Sequence, residues 1–108
     1  MPRPALLIAL TLAAFAPATE AAPREARTLY NTKCALCHGR DGRTSPAMAH
    51  AKVRNFTDAA WQKEVTDAQV RAAIADGRPG TLMRAYNEEL SPAEITALVA
   101  YIRAFAPK

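Results

Sequence analysis

The sequence CALCH at residues 34–38 decides the fold of this chain, because it contains both cysteines found among the 108 residues. Two cysteines three positions apart at the end of a helix project on one side, where each thiol can form a thioether with a vinyl group of haem. The histidine directly after them can then reach the iron of the same group. The spacing therefore predicts one covalently attached haem c, held by Cys34 and Cys37, with His38 as the proximal iron ligand.

Other uses of the cysteine pair account for the sequence less well. A disulfide between Cys34 and Cys37 would close a very small loop, and the stabilisation from a disulfide grows with loop length. A thioredoxin-like redox pair belongs in a strand-helix-strand context, which the sequence does not show. A zinc site built from Cys34, Cys37 and His50 would lack the second pair of cysteine or histidine ligands. Haem attachment is the interpretation that uses the whole motif.

The second axial ligand of the iron must come from elsewhere in the chain, and electron-transfer haems usually take methionine or histidine. Met48, His50 and Met83 are the candidates. Met83 is preferred, because it lies in a loop between two predicted helices, where an extended segment could cross the opposite haem face. Met48 and His50 follow His38 by only ten and twelve residues, so they would need a tight wrap to reach that face. Both residues, and an iron with no second protein ligand, stay open as alternatives.

The size and composition of the chain favour one small helical domain. A chain of 108 residues and 11.7 kDa is too short for two domains with separate cores. Half of its residues are hydrophobic but only 6% are aromatic, and the many alanines favour close-packed helices over strands. A core of this size usually needs a disulfide, a metal or a bound cofactor for stability. We therefore predict an all-α fold of three to five helices around one covalently bound haem.

The sequence on either side of the motif predicts helices joined by loops. Residues 25–36 contain good helix formers with Ala26, Leu29 and Tyr30 on one face, and this first helix runs into the cysteines. The other predicted elements are a loop over residues 39–55, a short helix that begins at Thr57 or Asp58 and includes Trp61, a helix over residues 67–76 that stops at Gly77, and a loop over residues 78–89.

The last helix has the clearest start. Residues 91–94, Ser-Pro-Ala-Glu, combine a capping box with a proline at the first helical position. Ile95, Leu98, Val99 and Ile102 then repeat at helical spacing and form an apolar face. This face must pack against another part of the fold.

The N-terminus has the pattern of a secretory signal peptide. Arg3 supplies a positive charge, residues 5–16 are apolar, and small residues follow between Ala18 and Ala22. The uncharged run over residues 4–19 falls short of the roughly 20 residues that span a bilayer. We predict a signal peptide over residues 1–21, with the cut between Ala18 and Ala22, and one domain over residues 22–108. The mature protein should be periplasmic and have no membrane span.

The charge of the chain excludes one class of partner. The formal charge is +4 and the isoelectric point is near 9.4, without a long basic run or a basic stripe interleaved with aromatic residues. Nucleic acid is therefore not an expected partner. The modest positive charge fits an ordinary solvated surface, or a weak basic patch that steers docking to an acidic redox protein.

Three blocks of the sequence resemble the class I cytochrome c family, and together they cover most of the chain after the signal. They are residues 29–39 around the cysteine motif, residues 70–83 with a helix, a turn and the ligand methionine, and residues 86–104 with the C-terminal helix. Members commonly have glycine where Ala26 stands and proline directly after the ligand methionine, where Arg84 stands. The resemblance implies a helical fold around a mostly buried haem with one edge near solvent.

The same resemblance implies a function. It predicts an electron carrier, with His38 and Met83 on the iron and redox proteins as donor and acceptor, acting as a free shuttle or as the haem subunit of an oxidoreductase. Trp61 and Tyr86 are candidates to pack on haem or to bond a propionate, and plain core packing explains them equally. The alternative function is a ligand-binding or peroxidase-like haem protein in which Met83 leaves the iron open.

Overall fold

The computed structural model describes residues 1–12 and 23–108, and within these ranges it contains five α-helices, one 3-10 helix and no β-strand. The all-α prediction is therefore confirmed. No helix within the described ranges is long and apolar enough to cross a membrane. In chain order the elements are α1 (Ala26–Lys33), α2 (Ala35–His38), the 3-10 helix (Pro46–Ala51), α3 (Ala59–Glu64), α4 (Asp67–Asp76) and α5 (Pro92–Arg103).

The predicted signal peptide is only partly covered by the structure. Residues 1–12 are exposed and form no regular secondary structure, whereas the predicted cleavage region from Ala18 to Ala22 lies outside the described residues. The cleavage site and the domain boundary that gives a mature chain over residues 22–108 therefore stay predictions from the sequence.

Helices α1 and α5 pack against each other at the centre of the core. Tyr30 of α1 and Leu98 of α5 are fully buried. The centroid of the Tyr30 ring lies 5.0 Å from that of Tyr101 and 5.3 Å from that of Phe105. The Tyr30 hydroxyl donates a hydrogen bond of 2.6 Å to the carbonyl of Gly39. This bond ties the aromatic core to the backbone directly after the CALCH motif.

Side-chain caps fix where three of the helices begin. Asp58, rather than Thr57, caps α3 by accepting hydrogen bonds from two backbone N–H groups of its first turn. Ser91 forms the predicted capping box with Glu94 at the start of α5. Thr66 forms a second capping box at the start of α4, which was not predicted. Each cap satisfies N–H groups that a helix leaves without partners at its start.

The first helix differs from the prediction of one continuous element over residues 25–36. Helix α1 ends at Lys33, and Cys34, with φ −114° and ψ −35°, separates it from α2. The Cys34 N–H still donates to the Tyr30 carbonyl at 2.9 Å, while the Cys34 carbonyl accepts from the His38 N–H at 3.0 Å. Cys34 therefore lies where two helices meet, and Cys37 lies within the second of them.

Glu94 gives the fold an acid-sensitive contact at the start of α5. Its carboxylate accepts hydrogen bonds from the Arg24 side chain at 2.8 Å and from the Ser91 N–H at 2.9 Å. These bonds, with that from the Arg24 side chain first, lower the pKa of Glu94 to about 2. Because this pKa lies below the ordinary value of 4.5, the stabilisation is present above about pH 4.5 and is lost as the pH falls toward about 2.

We expect Glu94→Gln to weaken that acid dependence. Denaturant unfolding of the haem-loaded protein, followed by far-UV circular dichroism between neutral pH and about pH 2, should show a smaller loss of unfolding free energy for the variant than for wild type. Equal losses in the two proteins would contradict the assignment.

Candidate haem-binding site

Cys34, between α1 and α2, and Cys37, within α2, are both free and half-buried thiols. Burial raises the pKa of Cys34 to about 11, so this thiol is protonated at neutral pH. Such a thiol is poorly suited to act as a redox nucleophile or a metal thiolate, whereas a thioether places no charge in the half-buried site. Within the described residues no group of three or more His, Cys, Asp or Glu side chains is placed to hold a metal ion. The structure therefore does not bring Cys34, Cys37 and His50 together as the zinc alternative requires.

The His38 ring is held in one orientation. Its Nδ1 lies 3.0 Å from the carbonyl oxygen of Arg54 and, since a carbonyl only accepts, this nitrogen is the donor. The ring stacks on Phe56 with centroids 4.2 Å apart and planes 14° apart. Burial lowers the pKa of His38, which favours the neutral imidazole. The neutral ring with its proton on Nδ1 leaves the Nε2 lone pair for a metal.

These groups fit haem c. Two free thiols are available for thioethers, and the next residue presents an imidazole nitrogen in the tautomer that ligates iron. Cys34 and Met83 also pack against the same hydrophobic core, whose members include Tyr30 and Leu98. The Cys34 end of the motif and the preferred distal ligand therefore adjoin one apolar region.

Met83 lies in a closely hydrogen-bonded loop between α4 and α5. Its carbonyl accepts from the Arg78 N–H at 2.9 Å, and its N–H donates to the Thr81 hydroxyl at 3.2 Å. The loop returns to α4 through the Tyr86 N–H, which donates to the Ile74 carbonyl at 2.9 Å. These bonds hold the backbone on both sides of the half-buried Met83 side chain.

Gly77 permits this return of the loop. It has φ +70° and ψ −175°, and a Cβ built there would lie 2.8 Å from both the Met83 carbonyl oxygen and the Ala85 nitrogen. Only glycine adopts this backbone conformation readily, and any side chain would also collide with the segment that carries Met83.

We expect Gly77→Ala to lower the free energy of unfolding by about 2 to 4 kcal/mol, from backbone strain and displacement of the loop. Gly80→Ala is the matched control, because Gly80 also has a positive φ of 77° but a Cβ there meets nothing within 4 Å. Urea unfolding of both variants should show the larger loss for Gly77→Ala. Equal losses would mean that strain alone, without the collision, sets the cost.

The other two candidate ligands lie in the 3-10 helix Pro46–Ala51, within the stretch predicted as an irregular loop. Met48 is half-buried and His50 is exposed. Neither belongs to the hydrophobic core or to the partly buried residues that pack against it, whereas Met83 does. The geometry therefore favours Met83 over both.

Trp61 and Tyr86 were candidates to contact haem or a propionate. The Tyr86 ring is buried, and its hydroxyl donates to the Lys33 carbonyl at 3.2 Å, so its polar end already has a partner in the protein. Trp61 is half-buried and packs on Phe56 with ring centroids 5.4 Å apart. Both residues have packing roles in the structure.

The family of the chain follows from comparison with known proteins. The model of the family described as cytochrome c oxidase, cbb3-type, subunit III matches residues 21–102, which is most of the chain. The chain belongs to this family. The predicted resemblance to cytochromes c is thereby confirmed as membership of a family of small c-type cytochrome domains, and membership implies haem c as the cofactor.

Individual relatives agree with the family. The chain is 30% identical over 92 residues to the cbb3-type cytochrome c oxidase subunit FixP of Azorhizobium caulinodans, and the match covers 85% of this chain but 30% of that protein. Its structure is similar to the KustC0563 c-type cytochrome, with TM-score 0.72, 33% identity and coverage of 78% of this chain and 100% of that one. Dihydro-heme d1 dehydrogenase NirN in complex with DHE is also similar, with TM-score 0.58 and 32% identity over 76% of this chain and 16% of that one.

Proposed function

We propose that this chain is an electron carrier with a single haem c, attached through Cys34 and Cys37 and ligated by His38 and Met83. When bound, haem supplies an iron that takes up and releases one electron as it cycles between Fe(II) and Fe(III). The observation that carries the proposal is the fixed tautomer of His38, which directly follows two free cysteines in a CxxCH motif. Membership of the cytochrome c family supports the same conclusion.

The protein's own groups then set the properties of the carrier. The Arg54 carbonyl orients His38, and the hydrogen-bonded loop presents Met83. Ligation by methionine and histidine raises the reduction potential relative to two histidines, and an apolar surrounding disfavours the more charged ferric state. We assign no substrate chemistry to the chain.

We propose that the carrier works in the periplasm with other redox proteins as donor and acceptor, as a free shuttle or as the haem subunit of an oxidoreductase. The signal-like sequence of residues 1–21 supports export. FixP is named as an oxidase subunit, and this chain spans 30% of its length; the match to KustC0563 spans the whole of that chain. Size-exclusion of native extract separates the two settings, because a shuttle elutes alone and a subunit elutes with its complex.

The alternative of an open iron site is less well supported. A peroxidase-like site needs a free polar side chain near the distal position, and Arg84 is the charged residue closest to Met83 in sequence. The Arg84 guanidinium is engaged instead with the Glu89 carboxylate at 2.7 Å.

An absorption spectrum of the mature protein, expressed with haem-maturation machinery, tests the proposal. We expect a sharp reduced c-type spectrum, a weak near-infrared sulfur-to-iron band in the oxidised form, and no response to carbon monoxide. Mass spectrometry should show one haem on a chain that lacks about the first 21 residues. A high-spin haem that binds carbon monoxide would support the open-site alternative, and a chain without covalent haem would contradict the proposal.

A further inference from the structure

Arg84 occupies the position directly after the proposed ligand Met83, and its side chain turns back onto the same segment of chain. The guanidinium donates to both carboxylate oxygens of Glu89, at 2.7 Å from Nη1 to Oε1 and at 3.3 Å from Nη2 to Oε2. It also lies over the ring of Tyr86, 4.0 Å from the ring centroid. A two-point contact to a carboxylate combined with stacking on an aromatic ring fixes a guanidinium in one orientation.

Glu89 connects this loop to helix α1. Its Oε2 also accepts from the Lys33 ammonium at 3.1 Å, and its backbone carbonyl accepts from the Arg24 side chain at 2.9 Å. Tyr86 makes a second connection, because its hydroxyl donates to the Lys33 carbonyl at 3.2 Å. The residue after Met83 is thereby linked to the residue before Cys34.

These contacts are only partly shielded from solvent, since the side chains of Arg84, Glu89 and Lys33 are 57%, 41% and 24% exposed. Isolated ion pairs at such exposure contribute little to the overall stability of a fold. Their position matters more here. Tyr86 and Glu89 are bonded to Lys33 of α1, and the Met83 segment cannot move away from them without breaking the bond between Arg84 and Glu89. The contacts therefore act on the local opening of the loop more than on global unfolding.

We propose that Arg84 is a positioning residue for Met83. Together with Tyr86, Glu89 and Lys33 it forms a clamp that holds the Met83 segment against the end of α1 carrying Cys34, and so favours the Met83-bound state of the iron over an open one. Many class I cytochromes c have proline at the position of Arg84. A proline ring restrains the loop by fixing φ, and the clamp supplies a comparable restraint by ion pairing. The inference rests on the proposed His38 and Met83 ligation.

Imidazole binding to the ferric protein tests the clamp, because imidazole takes the iron only when Met83 leaves it. We expect Arg84→Ala and Glu89→Gln each to bind imidazole about twofold to fivefold more tightly than wild type, the range set by one exposed ion pair. The double variant should show less than the sum of the two single effects, because both changes remove the same contact between Arg84 and Glu89. The near-infrared sulfur-to-iron band should also disappear at a lower temperature in each variant, below the loss of the helical signal.

Arg78→Ala is the matched control, since the Arg78 side chain is exposed in the same loop and makes no ion pair with any residue that the structure describes. The substitution keeps the Arg78 backbone N–H that bonds the Met83 carbonyl. It should leave imidazole affinity at the wild-type value. Arg84→Lys keeps the charge but loses the two-point contact, and it should lie between wild type and Arg84→Ala. Added salt should strengthen imidazole binding to wild type more than to Arg84→Ala, because the variant has lost the ion pair with Glu89 and keeps only that between Lys33 and Glu89.

The outcomes separate the clamp from the proposed function. If wild type has the near-infrared band but Arg84→Ala binds imidazole with unchanged affinity, the clamp is wrong and the ligation stands. Additive effects of Arg84→Ala and Glu89→Gln, or lower global stability with unchanged imidazole affinity, would also overturn it. If wild type lacks the band, Met83 is not the ligand and both proposals fall.

Discussion

The double variant Cys34→Ala and Cys37→Ala is expected to abolish covalent haem and most of the fold. Both thiols of the chain are removed, so no thioether can form. A domain of this size needs a bound cofactor or a similar cross-link for stability because its own core is small, and loss of haem removes that stabilisation. Denaturing gel electrophoresis with haem staining should show no signal, and far-UV circular dichroism of the purified chain should show most of the helical signal lost.

Single cysteine variants, and a pair of histidine variants, show whether the loss of haem is specific to the CALCH motif. Cys34→Ala or Cys37→Ala alone leaves one thiol and should retain some haem in the stained gel, whereas His38→Ala should prevent normal ligation. His50→Ala is the control for His38→Ala, because His50 is exposed in the 3-10 helix and should leave the spectrum unchanged. Covalent haem in the double cysteine variant would show that another residue is the attachment point.

Local patterns in the sequence predicted the parts of the fold whose cause is local. The capping box at Ser91 and the spacing of the apolar residues after it predicted the start and the buried face of α5, and both are observed. The break at Cys34 was missed, because residues 25–36 are good helix formers and the interruption comes from the backbone conformation at one residue. Helix propensity alone therefore does not mark this break.

Contacts between distant parts of the chain have no comparable pattern in the sequence from which they could be predicted. The partner of His38 is the backbone carbonyl of Arg54, and every residue has a carbonyl, so no side chain marks it. The contact of Lys33 with Glu89 joins residues 56 positions apart. Charged residues are common on surfaces, and only the fold shows that these two meet beside the methionine loop. Candidate ligands could therefore be proposed from the sequence, whereas the contacts around them could not.

Met83→Ala is expected to open the iron site and lower the reduction potential. Removal of the thioether leaves His38 as the one axial ligand proposed from the protein, so we expect the ferric near-infrared band to vanish and the reduced form to bind carbon monoxide. The thioether favours ferrous iron, so its loss should lower the potential by on the order of 0.1 V, a fraction of the about 0.8 V range that axial ligands span. Potentiometric titration and a carbon monoxide difference spectrum measure both effects.

Met48→Ala is the matched control for this experiment, because Met48 is also a half-buried methionine outside the α-helices. It should keep the near-infrared band and the wild-type potential. If Met48→Ala removed the band and Met83→Ala did not, the distal ligand would come from the 3-10 helix, and the loop between α4 and α5 would have only a packing role. The reverse result places the ligand on that loop. Backbone hydrogen bonds around Met83 hold the loop in place, and its close approach to Gly77 leaves no room for a side chain at residue 77.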